Sequence, residues 1–213
     1  MGTKFSTCVW VSVVGIASIF FGSKGYADTV ISVADFGLKP DTRENAVAYV
    51  QKAIEACRGK EPVTLVFPEG RYDFWPQYAH EKNYYETNTY DVFPKRLAML
   101  FEGLHNITVD GSGSQFIMHD RIQPITVENC DGVTLKNFSI DWDIPLTAQA
   151  RVTKVGSDFF EIEINVLESP YIIEDGKLVF VGEGWKSALG SMIEFESDTH
   201  FVVPGTGDLV LGW

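Results

Sequence analysis

The sequence predicts an all-β protein. It reads as a right-handed parallel β-helix, whose N-terminal coils carry a capping helix, followed by a small antiparallel, barrel-like β insertion. Three observations predict this: a strand–helix–strand opening, two gapless segments offset by 26 residues, and a change to hairpin rhythm beyond Pro145.

The first element is not part of the fold. Lys4 supplies a short positive region, and residues 8–21 form an apolar run of about 14 residues, short of the roughly 20 that span a bilayer. Gly25-Tyr26-Ala27 follows as a small-x-small cleavage signature, which predicts a signal peptide over residues 1–27 and a mature chain starting at Asp28. The expected protein is exported: periplasmic, cell-surface or secreted, with no stable membrane insertion after cleavage. Losing Lys4 and Lys24 takes the formal charge from −12 to −14. Such an acidic chain repels DNA and RNA, so nucleic acid is excluded as a partner. About 45% apolar residues, with 13% aromatic, is enough to bury a core. Cys57 and Cys130 remain after cleavage, and they read as two buried thiols rather than a disulfide framework.

Residues 30–36 read as a strand that Gly37 and Pro40 end. A helix is predicted over residues 42–57, with Asp41 or Thr42 as its N-cap. Ala46, Val47, Val50, Ile54 and Cys57 recur at spacings of three and four, which makes one apolar stripe. Gly59 stops the helix, residues 63–67 form the next strand, and Pro68-Glu69-Gly70 turns into residues 71–74. A stacked fold exposes an apolar end, and a helix with such a stripe can cover it.

Residues 98–115 align without gaps to residues 124–141. Met99 matches Ile125, Phe101 matches Val127, Ile107 matches Val133 and Val109 matches Leu135; Glu102/Glu128 and Thr108/Thr134 are identical. Each copy carries two short alternating strands and cannot bury its apolar face alone, so copies must stack. Beyond Pro145 no such period persists. Residues 150–155 and 159–166 alternate as antiparallel strands, and Asp175-Gly176 marks a hairpin turn between residues 171–173 and 178–181. The expected division is therefore a signal peptide at 1–27, the cap and first coils at 28–148, and an antiparallel domain at 149–213. Nothing in the sequence caps the far end, so the chain is expected to be the N-terminal fragment of a longer protein.

Residues 33–37, the helix and residues 66–72 resemble the opening of the pectate-lyase-like β-helix superfamily. More narrowly, residues 70–76, 84–91, 138–143 and 145–149 resemble glycoside hydrolase family 110, as do residues 182–185 and 203–208. That family contains exported bacterial α-1,3-galactosidases. The resemblance implies a β-helix interrupted by small β-barrel domains. It also implies metal-independent, inverting exo-hydrolysis of terminal α-1,3-linked galactose, with no cofactor and a glycan as partner. The family's catalytic carboxylates lie on later coils, so the fragment is expected to be inactive by itself.

Inverting hydrolysis needs two carboxyl groups roughly 6.5–9.5 Å apart. Asp141 and Asp143 are the local candidates, because residues i and i+2 on a strand share a face; solvated acids at a strand end are the plainer reading. Sugar rings stack on flat aromatic faces beside planar polar groups. Trp75, Tyr85 and Asn88 lie in an aromatic-rich segment, and Trp142 sits between the two aspartates; these four are the candidate substrate contacts. The same segment could instead pack as a lid or against a second copy of the chain, which leaves a homo-oligomer open. His80, His105, His119 and His200 form no HxH or HExxH spacing and no CxxC occurs, so no metal site is expected. Gly111-Ser112-Gly113 lacks the context of a nucleotide loop. Two other functions fit the same fold. A polysaccharide lyase or polygalacturonase would need a cluster of acids for calcium and a basic residue, for which Arg121 and Lys136 are isolated candidates. A non-catalytic β-helical glycan-binding protein needs neither.

Overall fold

The computed structural model describes residues 29–83, 94–205 and the backbone of 209–210. The expected signal peptide and the candidates Tyr85 and Asn88 lie outside the described residues. No helix among the described residues is long and apolar enough to cross a membrane.

The first described element is β1 (Thr29–Ser32), where a strand over residues 30–36 is expected. Residues 33–36 wind instead into a 3-10 turn, because Ser32 and Asp35 form a capping box and Gly37 closes it with φ 92°. Helix α1 (Val47–Cys57) begins five residues later than predicted. Asp41 is no helix cap: its backbone N–H donates to Arg71 O at 2.8 Å and its Oδ1 accepts from Arg71 N at 2.9 Å. Asn45 then bridges in parallel to Asp73. Pairing with the strand at 71–74 thus competes with helix formation and wins. The predicted stripe of Ala46, Val47, Val50, Ile54 and Cys57 is buried.

Strands β2 (Val63–Val66), β3 (Arg71–Phe74), β4 (His80–Lys82), β5 (Lys95–Glu102), β6 (His105–Met118), β7 (Gln123–Glu128) and β8 (Asp131–Trp142) follow. Residues 26 apart stand side by side in parallel: Met99 opposite Ile125, Phe101 opposite Val127, Ile107 opposite Val133 and Val109 opposite Leu135. The same register sets Glu102 directly opposite Glu128, a like-charge pair that destabilises a ladder. Lys82 offsets it, with Nζ 2.8 Å from Glu102 and 2.6 Å from Glu128. The core lies on this part of the chain. Phe116 stacks on Phe138 with centroids 4.7 Å apart and touches Phe67, Tyr72 and Phe74 edgewise or tilted, while α1 packs on β5, β2 and β1.

A short antiparallel series completes the described structure: β9 (Arg151–Val155), β10 (Phe160–Glu163), β11 (Tyr171–Glu174), β12 (Lys177–Gly182), β13 (Trp185–Ala188), β14 (Ser191–Met192) and β15 (Leu209–Val210). Asp175 and Gly176 both have positive φ, 52° and 74°, as a two-residue hairpin turn requires.

The right-handed parallel β-helix expected from the sequence is corrected by this arrangement. The fold is mostly β, but among the described residues its strands are divided among five small sheets of five, three, three, two and two strands. The physical reason is where the backbone hydrogen bonds go. The aligned segments pair once, β4 runs antiparallel along β5, and from Arg151 onward the described strands pair with antiparallel neighbours. One such pairing of copies does not continue into a solenoid. Cys57 and Cys130 are both free. Burial pushes the Cys57 thiol up to about 11.

Candidate functional site

Strands β3, β6 and β8 lie side by side, with Phe74, Met118 and Trp142 at one level. The ladder runs one residue further, since His119 N donates to Phe74 O and Asp143 N donates to Met118 O. That places Trp75, His119 and Asp143 together just beyond three strand ends. The Trp75 ring stacks on the His119 ring at 3.8 Å and 10°.

His119 is the centre of a charged cluster. Its Nε2 lies 2.9 Å from Asp73 Oδ1, and its Nδ1 lies 2.8 Å from both oxygens of Glu183. An imidazole facing a carboxylate at each nitrogen can donate to both only when it holds both protons. Asp73 also accepts from Arg71 Nη2 at 2.6 Å and from Arg71 Nε at 3.0 Å. The same Nη2 donates to Asp143 Oδ1 at 2.6 Å, and Arg43 Nη1 reaches that oxygen at 3.4 Å.

These contacts set the ionisation of the acids. Burial pushes the Asp73 carboxyl up, but hydrogen bonds from Arg71 and His119 more than offset it and leave it below the usual carboxylate range. Asp143 is also held low, chiefly by the hydrogen bond from Arg71, with burial opposing. The Arg71 guanidinium is raised in turn, first by its bond to Asp73. Asp143 is therefore a fixed anion at neutral pH. That charge state suits it to anchor a cationic partner or to accept a proton.

Glu183 comes to this site from the antiparallel region. Gly182 pairs with Trp185 across β12 and β13, leaving Glu183 and Gly184 as a two-residue turn. Gly184 has φ 74°, and a Cβ there would stand 2.3 Å from Asp120 Oδ2. Glycine is what lets the turn approach closely enough for Glu183 to reach His119.

The predicted site residues separate. Asp143 enters the cluster, whereas Asp141 is exposed and accepts a hydrogen bond from the backbone N of Trp142 at 2.8 Å. The two aspartates thus have different partners. Trp75 packs on His119. Trp142 is half-buried, donates from Nε1 to Asp120 O at 3.2 Å, and lines a neighbouring groove. Arg71, Asp73, His119 and Glu183 were not among the candidates. The Arg71-x-Asp73 spacing on one strand face was a usable signal for the first two. No sequence spacing links His119 to Glu183. Ligand atoms of His119, Asp143 and Glu183 lie within 4.8 Å of one another, a spacing that a cation could bridge. In the described structure Arg71, Arg43 and His119 already take up those carboxylates.

Residues 148–212 match the family described as GLAA-B beta-barrel domain I. The chain is 60% identical over 187 residues to a Bacteroides thetaiotaomicron protein named alpha-1,3-galactosidase B, an alignment covering 88% of this chain and 30% of the relative. A Phocaeicola vulgatus protein of the same name is 37% identical over 210 residues, covering 96% of this chain and 33% of the relative. The Shewanella woodyi alpha-1,3-galactosidase A is 35% identical over 169 residues, 78% of this chain and 28% of the relative. The chain spans about a third of the length of the relatives it matches.

Proposed function

We propose that the chain is the N-terminal part of an exported glycoside hydrolase of family 110 that releases terminal α-1,3-linked galactose from glycans with inversion. The observation that carries the reading is the alignment along nearly the whole described chain with proteins named for that activity. The division into a signal peptide at 1–27, a first unit at 28–148 and an antiparallel unit at 149–213 belongs to the same proposal, supported by the barrel-domain match over residues 148–212.

In this reading the described cluster does not supply the acid–base pair. An inverting enzyme needs one protonated carboxyl group beside one ionised one, and hydrogen bonds from Arg71 hold both Asp73 and Asp143 below the usual carboxylate range. The cluster joins the antiparallel hairpin to the ends of β3, β6 and β8 and so fixes the two parts against each other. The reacting pair then belongs to segments outside these residues.

The test is galactose release from an α-1,3-linked galactobiose. The 213-residue chain should release none, while the polypeptide at its relatives' full length should release galactose as the β-anomer first. Easily measured turnover by the chain alone would put the acid–base pair inside it. A full-length protein that leaves α-1,3-galactosides intact would overturn the assignment.

A further inference from the structure

A turn beside α1 holds a residue that its backbone disfavours. Residues 76–79 form a β-turn closed by Ala79 N donating to Pro76 O at 3.1 Å. Tyr78 stands at its third position with φ 68°. Glycine or asparagine is favoured there, because a side chain crowds the left-handed backbone. A bulky residue in that conformation is strained, and strain of this kind gathers where ligands bind.

Three bonds hold the turn in place. Asn45 Nδ2 donates to Gln77 O at 2.9 Å, Asn45 Oδ1 accepts from Trp75 N at 3.2 Å, and Gln51 Nε2 donates to Tyr78 O at 2.7 Å. All three grip backbone atoms. The Tyr78 ring takes no part in them. It makes no hydrogen bond or ring contact among the described residues, and Tyr78 is 64% exposed. The fold thus fixes a strained backbone and leaves its aromatic ring in water, where the ring adds little to the core.

The ring has company. With Tyr49 it lines a groove of about 450 Å³ along α1, whose other walls come from Glu44, Asn45, Ala48 and Lys52. That volume falls within the range of small-ligand sites. Tyr49 is half-buried and packs on the core, so the freer ring is that of Tyr78. Glu44 and Lys52 are exposed, and their side chains make no hydrogen bond or ion pair among the described residues. One carboxylate and one ammonium supply an acceptor and donors without net charge. An ionic ligand would be attracted by one and repelled by the other. A pyranose ring meets all these conditions: it is neutral, has a flat C–H face, and its hydroxyls both donate and accept.

We propose that this groove binds a neutral oligosaccharide, with one pyranose ring lying on Tyr78 and its hydroxyls bonded to Glu44 and Lys52. The kind of ligand rests on the glycan reading above; the place rests on the strained turn and the groove it borders.

The test is a calorimetric titration of the 213-residue chain and its variants with α-1,3-linked galactobiose and with lactose. At least one of the two sugars should bind. Tyr78→Gly removes the platform and relieves the backbone, so binding should weaken about tenfold or more while the melting temperature holds or rises. Tyr78→Phe keeps the ring and should bind as the native chain does. Glu44→Ala and Lys52→Ala should each weaken binding several-fold. Absence of binding by both sugars, native affinity in Tyr78→Gly, equal losses in Tyr78→Phe and Tyr78→Gly, or indifference to both charge substitutions overturns the proposal. So does a sharp fall in the melting temperature of Tyr78→Gly, which would make the ring a packing element. No arm reads galactose release, so the hydrolase assignment is decided separately.

Discussion

Residues 29–142 and residues 151–203 are both built of strands, yet they are held together differently. In the first region α1, the parallel ladders and the ring cluster around Phe116 leave a continuous core, from Ile31 to Ile122, with little or no exposure. In the second region Val179 is the one buried apolar residue among those described, while Leu167 is 85% exposed and Phe201 73%. Hydrogen-bond pairing and burial are thus separable. A two-residue turn such as Asp175-Gly176 sets a hairpin register locally, but it brings no second apolar layer with it. The best-buried strand of the second region is β12, and it leads into the turn whose Glu183 and Gly184 dock on His119 and Asp120. Burial in this region goes with contact to the first.

The largest expected effect tests the first half of that contrast. Phe116 is fully buried and touches Phe67, Tyr72, Phe74 and Phe138. Phe116→Ala removes the common partner of four rings and leaves a cavity between rigid strands, at a cost of about 3–5 kcal/mol in urea unfolding. A loss below about 1 kcal/mol would mean that the ring cluster is not what holds the parallel ladders together.

The next effect concerns the junction of the two regions. Asp73 has no exposed side-chain surface and bonds both Arg71 and His119. Asp73→Asn leaves the Arg71 guanidinium and the His119 ring beside a neutral amide, and about 3 kcal/mol of destabilisation is expected from breaking a buried pair. The acid dependence gives a second readout. Asp73 has a depressed folded value, so its contribution is fully present above the unfolded value of about 3.9. It is lost as pH falls through the folded value. The native chain should therefore lose stability below about pH 4, with part of that slope absent from the Asn variant. Parallel acid profiles for the two proteins would show that Arg71 and His119 do not depend on this carboxylate.

The same contrast explains what could be read in the sequence. The offset of 26 was visible because Met99/Ile125 and Ile107/Val133 keep side-chain character, and these residues do pair in parallel. A closed solenoid did not follow, because strand alternation says nothing about how many neighbours a sheet acquires. Asp41 and Thr42 looked like a helix cap by residue type, but the 41–45 segment satisfies its backbone groups against β3 instead. At the site, Asp143 and Trp142 were legible as an acid and an aromatic at a strand end. His119 was not, since its meaning depends on Glu183, 64 residues away across a change of sheet type. Tertiary proximity of that kind leaves no local periodicity.

The smallest predicted effect completes the comparison. Leu167 lies in the loop between β10 and β11, and its backbone N donates to Asn165 Oδ1 at 3.1 Å. That bond fixes the turn without the leucine side chain, which is 85% exposed and buries little area. Leu167→Ala should change stability by no more than about 0.5 kcal/mol, against about 2–5 kcal/mol for the same truncation at fully buried Leu65. Urea melts of the two variants side by side give the difference directly. A cost at Leu167 approaching that at Leu65 would mean that the leucine is covered in solution, and the antiparallel region would then have to be treated as one face of a larger packed unit.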